Sequence, residues 1–179
     1  MNPDQASKIA QQLWFDPMPP GVQVYAIVDA ARNEKVYPSV TGCKLKWDCL
    51  YIGDIPMELK EVAPYLVQLQ KDDTFTTSLI NDGWEDHWGI YIWAPGELED
   101  LHRHFRKFLT AADERGKQLV FRYYDPRVFR AYLPTCNTQE LEQIFGPVQE
   151  FILPAQDPSA ALRFRIEEGK LVQQKVTLC

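Results

Sequence analysis

Phe121-Arg122-Tyr123-Tyr124-Asp125-Pro126-Arg127-Val128-Phe129-Arg130 is the stretch whose reading decides the fold. Leu119, Val120, Phe121, Tyr123 and Tyr124 are aliphatic and aromatic types that suit a pleated, half-buried surface, so 119–124 reads as a strand. Pro126 lacks a backbone donor and has a fixed φ, which suits the first turn of a helix. Asp125 is placed to cap that helix by accepting from its free N–H groups. Val128, Phe129, Tyr132 and Leu133 then recur at helical spacing. The run thus predicts a strand, a sharp turn and a capped helix. It gathers Arg122, Asp125, Arg127 and Arg130 near one strand end, where sites on α/β sheets often lie.

Working outward, Glu97 to Arg115 predicts one long helix, with Leu98, Leu101, Phe105, Phe108, Leu109 and Ala112 as its apolar stripe. Glu97, Glu99 and Asp100 favour its start, Gly116 its end, and Arg103, Arg106 and Lys107 its wet face. Trp88 to Trp93 predicts a strand, and the helix between it and 119–124 implies a right-handed crossover with the two strands parallel. Val22 to Val28 is apolar enough for a strand covered on both faces. Leu45 to Ile52, Tyr65 to Leu69 (helix as the second reading) and Val148 to Leu153 read as further strands. Leu162, Phe164 and Ile166 pair back through a turn at Glu168-Gly169-Lys170 onto 171–176. Helices are predicted over 2–14, ended by Asp16-Pro17, from a cap at Asp73, and from a cap at Asn137 or Thr138. Pro56 to Val62 reads as a helical turn, and residues 33–43 as irregular connection or a short pairing segment. The fold class is α/β (α+β), a mixed central sheet flanked by helices. Residues 1–147 form the lobe, and 148–179 a short β-like C-terminal extension packing on the same domain.

The 179 residues suit one domain, and 45% apolar content is ordinary for a globular core. The net charge of −6 argues against a nucleic-acid partner, which calls for a basic face. The start shows no basic-then-apolar leader, and no apolar run nears the roughly 20 residues that span a bilayer. Cys43, Cys49, Cys136 and Cys179 lack paired metal-ligand spacing, which implies reduced thiols in a cytosol, with Cys179 expected to be exposed.

Six blocks then come in order: Tyr25-Ala-Ile-Val-Asp29-Ala30-Ala31, Tyr51-Ile-Gly-Asp54, Ala63-Pro-Tyr-Leu-Val67, Trp88-Gly-Ile-Tyr-Ile-Trp93, Leu101-His-Arg-His-Phe-Arg106 and Phe121-Arg-Tyr-Tyr-Asp-Pro-Arg-Val128. Together they resemble the domain of unknown function 4123, the shared lobe of type VI secretion effector adaptors, over roughly Tyr25 to Val148. The resemblance implies a bacterial cytoplasmic chaperone without catalytic activity or cofactor. It would bind one toxic effector and help load it onto the VgrG spike. Many members carry a further helical lobe, where this chain has only the extension from about Val148.

The chemistry of the residues leaves two other readings open. Asp125 amid arginines could hold a phosphate ester for a phosphodiester-hydrolysing enzyme, and a sheet edge could serve a self-associating structural subunit. The favoured account makes Asp29, Asp54, Arg122, Asp125 and Arg127 a structural turn and ion-pair cluster, because the arginine fork fixes carboxylates in one geometry. His102 and His104 lie two apart on a helix and do not face each other, and His87 has no fixed relation to them, so no metal site is expected. Trp84, Trp88, Trp93, Tyr91 and Tyr123 form an aromatic-rich set, most of it expected in the core, with a few at an exposed rim as anchors. Trp84, Arg103, Arg106 and Lys107 are the expected partner-binding residues, chosen for exposure.

Overall fold

The computed structural model describes residues 1–15, 17–112 and 115–178; Asp16, Asp113, Glu114, Cys179 and the side chain of Ala112 lie outside the described residues. Its centre is the strand β1 (Val22–Asp29), on which the alternation of side chains divides the core in two. Val24, Ala26 and Val28 face one side and Tyr25 and Ile27 the other, and all five are buried. The continuous apolar run therefore marks a strand covered on both faces, as expected.

β1 pairs antiparallel with β3 (Pro64–Gln68) on one side and β4 (Gly89–Pro95) on the other, with Tyr25 opposite Gln68 and Ile92. The sheet extends outward from β3 to β2 (Trp47–Cys49). Beyond β4 it runs through β7 (Glu150–Pro154), β8 (Ala160–Glu167) and β9 (Lys170–Thr177), giving seven strands among the described residues. Every pairing is antiparallel. The 148–179 extension thus packs on the lobe by continuing its sheet. Glu168 and Gly169 both take positive φ, which the tight β8–β9 turn requires.

One face is covered by α1 (Pro3–Leu13), α2 (Val36–Gly42) and α4 (Thr74–Gly83). The other is covered by α5 (Leu98–Phe105), α6 (Pro126–Tyr132) and α7 (Thr138–Phe145). Capping explains several starts. Asp73 accepts from the Phe75 amide at 2.8 Å, and Asn137 and Glu140 form a reciprocal capping box. Where an irregular 33–43 was expected, α2 forms and buries Val36 and Val40 against the sheet.

The long helix and the parallel crossover are corrected. α5 ends at Phe105, and Arg106–Phe108 tightens into a 3₁₀ turn. A spacing of three serves α and 3₁₀ turns alike, so the apolar stripe alone did not mark that end. The chain then forms a small hairpin of β5 (Thr110–Ala112) and β6 (Gln118–Val120) outside the main sheet. Gly116 does take a positive φ, in that hairpin and not at a helix end. Residues 121–124 leave β6 as turn and coil, and the place beside β4 is filled by β7, with Ile92 opposite Phe151. The strand expected over 45–52 is likewise only the three residues of β2.

A buried arginine of the extension, paired with Glu150 within it, also ties it to the lobe. Arg163 donates through Nε to Glu150 at 2.8 Å and through Nη1 to the Gln12 carbonyl at 3.0 Å, with its guanidinium 4.6 Å from the Trp93 ring centre.

Candidate functional site

The fold brings the predicted arginines and aspartates to one end of β1. Asp29 closes that strand, is buried, and accepts from the Ala31 amide at 3.1 Å and from the half-exposed Arg122 guanidinium. Burial raises the Asp29 pKa, and the Arg122 hydrogen bond and charge offset only part of that rise. Asp125 caps α6, accepting from the Arg127 amide at 2.9 Å, while its carboxylate takes Arg127 Nε at 3.0 Å and Nη2 at 2.6 Å. Burial would raise this carboxyl, but the Arg127 hydrogen bonds and charge outweigh it and hold the pKa below the ordinary aspartate value.

Asp54 is not part of the cluster. It sits exposed on the loop after β2, without an ion pair among the described residues. Its place in the sequence, after an apolar run, suggested a strand end, but that strand stops at Cys49. A neighbour that sequence reasoning missed is Asp86, which accepts from Arg32 at 3.2 Å and from the Trp88 indole at 2.7 Å. His87 beside it has positive φ and a buried Nδ1 without a hydrogen-bond partner. Burial, then the charges of Arg130 and Arg127, lower its pKa. Arg130 makes a long 3.5 Å contact with the Pro154 carbonyl. The acids of this cluster are thus each engaged by an arginine. Among the described residues no three His, Cys, Asp or Glu side chains group as metal ligands.

Trp84 is corrected outright. It is 1% exposed, stacks near Tyr91 and donates its indole N–H to the Pro158 carbonyl at 2.9 Å. Position near an acidic loop suggested exposure, whereas α4 turns its end into the core. Trp88, Trp93, Tyr91 and Tyr123 are buried as expected. Arg103, Arg106 and Lys107 are exposed, and Arg103 pairs with Asp100. His102 donates through Nε2–H to the Cys49 carbonyl at 2.8 Å, and buried His104 does the same to the Ile144 carbonyl.

The surface that stands out was not predicted. Between β2 and β3, around α3 (Met57–Lys60), Ile52, Met57, Leu59 and Val62 are 63%, 55%, 47% and 43% exposed. Ile52 lines a groove of about 530 Å³ with Tyr37, Trp47, Tyr51, Ile55 and Tyr65, and Met57 meets it through the Tyr37 hydroxyl. The only sequence signal was a set of apolar residues with no period, broken by Gly53, Pro56 and Pro64. The groove lies beside β2, which pairs with β3 alone and is an edge of the sheet. The opposite edge, β9, carries exposed Lys170 and Lys175, which discourage further strand pairing.

Among the described residues no helix is long and apolar enough to cross a membrane. A family model described as Domain of unknown function (DUF4123) matches residues 24–143. No curated protein and no solved structure matches the chain.

Proposed function

The chain belongs to the DUF4123 family, and on that premise we propose that it is a type VI secretion effector adaptor, a bacterial cytoplasmic chaperone that holds one toxic effector and helps load it onto the VgrG spike. The observation that carries this reading is the exposed apolar face of Ile52, Met57, Leu59 and Val62 beside the aromatic groove. A contiguous apolar patch rimmed by polar groups is what a protein-binding surface needs, and it is costly to leave facing water. Tyr37, Trp47 and Tyr51 supply the amphipathic rings that anchor such contacts. An apolar segment of the effector would lie on this face until the spike receives it. The exposed Arg103, Arg106 and Lys107 form a second, charged contact area.

In this reading Asp29, Arg122, Asp125 and Arg127 hold the lobe in shape, since their charged atoms are taken up by one another and by backbone amides. They carry no chemical step. The test is co-expression of the tagged chain with each protein encoded by its neighbouring genes, a candidate toxin and a spike protein among them. A stable complex with the toxin is expected on size exclusion. A chain that elutes alone, with the toxin soluble in the same lysate, would refute the proposal.

A further inference from the structure

A second apolar feature lies on the opposite face of the sheet from α1, α2 and α4. Between α5, α6 and the β5–β6 hairpin is a partly open cavity of about 170 Å³, walled by Phe108, Phe121, Tyr123 and Tyr132, with Lys107 and Ala111 exposed on its rim. Apolar cavities near 150 Å³ stay dry and take up a ring the size of benzene. The space therefore suits one aromatic side chain. Its walls favour an aromatic occupant, because edge-to-face ring contacts already run from Phe121 to Tyr132 and from Phe108 to Tyr123.

Charge selects what surrounds that ring. Arg106 and Lys107 are exposed and make no ion pair among the described residues. They are two exposed cations beside the cavity in a chain of net charge −6. The cavity thus opens beside Arg106 and Lys107 on an otherwise acidic protein, which steers an acidic partner to it. We infer that this cavity is a docking site for a short acidic segment of a protein partner, with one aromatic side chain inserted between Phe108 and Phe121 and flanking carboxylates on Arg106 and Lys107. The inference rests on the protein-binding reading above and gives its charged contact area a defined occupant.

The probe is a short fluorescein-labelled peptide of aspartates around a central phenylalanine, read by anisotropy with the full chain. It binds, and peptides with a central alanine, or with lysines for aspartates, bind at least about tenfold more weakly. Arg106→Glu with Lys107→Glu lowers affinity by about tenfold or more, and raising salt weakens the wild type in the same direction. Ala111→Trp, which sets an indole over the opening, lowers it as well, while the melting temperature of the surface charge variant stays at the wild-type value. Equal binding of the phenylalanine and alanine peptides, or full binding by the charge variant, overturns the inference. So does a wild-type dimer that Ala111→Trp dissolves, which would give the cavity to a second copy of the chain. Toxin capture without peptide binding overturns this inference alone, and peptide binding without toxin capture overturns the adaptor reading alone.

Discussion

Replacing Asp125 by alanine separates scaffolding from machinery. The substitution removes the hydrogen bond from the Arg127 amide at 2.9 Å, so α6 loses its cap, a change worth about 0.5–2 kcal/mol. It also removes the Asp125–Arg127 ion pair. Arg127 is 45% exposed on its side chain, so water compensates for much of that loss, and about 0.2–1 kcal/mol is the fitting range. Together these give about 2 kcal/mol. In a chain of 179 residues this lowers Tm by about 4–8 °C in a thermal melt followed by circular dichroism. Asp125→Asn keeps a good capping side chain and loses less.

The pH dependence has a definite sign. The Asp125 pKa is lowered in the folded state, so its contribution is present above the ordinary aspartate pKa of about 4. It disappears as pH falls through the lower folded value. The gap between wild type and Asp125→Ala therefore closes in acid. Asp29 has the opposite sign, its folded pKa being raised mainly by burial and in small part by Asp125, so the comparison of wild type with the variant reads chiefly Asp125. A Tm unchanged within about 1 °C at neutral pH, or a gap that stays constant into acid, would refute the capping and pairing account.

Other consequences follow from burial and backbone contact. Glu150→Gln leaves the buried Arg163 guanidinium without its counter-charge and costs about 3–5 kcal/mol, seen as a lower urea midpoint at unchanged m; a loss under about 1 kcal/mol counts against Glu150 as the group that holds Arg163 in place against Gln12 and Trp93. Gly89→Ala places a Cβ 2.0 Å from the Ile27 carbonyl oxygen on the paired strand, so soluble yield collapses, whereas Gly42→Ala meets nothing within 4 Å and leaves Tm within about 2 °C. Exposed Ile52→Asp and Leu59→Asp leave Tm unchanged within about 2 °C, because neither side chain is in the core; a large drop would show that the patch is structural.

Much of this fold was legible because local chemistry agreed with tertiary need. Asp73, Asn137 and Asp125 announce helix starts, and each does cap one. The apolar run of β1 announces burial on both faces. The failures share a cause: sheet order is a long-range property. Nothing in 119–124 says that residues 150–154 take the place beside β4. Nor does the stripe from Leu98 to Leu109 show where α-helix gives way to a 3₁₀ turn. For the site, the Asp29–Arg122 and Asp125–Arg127 pairs were legible from opposite charges at element ends. Exposure was not. Trp84 and Ile52 are both large apolar residues near acidic loops, and only packing decides that the first is buried and the second bare.

The central claim is that the apolar face around Met57 grips a client while the aspartate–arginine cluster only shapes the lobe. Titration calorimetry of the purified toxin against three folded proteins tests it most directly: wild type, Ile52→Asp with Leu59→Asp, and Asp125→Asn. The account predicts undiminished affinity for Asp125→Asn and a loss of at least about tenfold for the surface variant, since truncation of interface anchors costs more than 1 kcal/mol. Full affinity in the surface variant, with loss of binding in Asp125→Asn at unchanged stability, would contradict it.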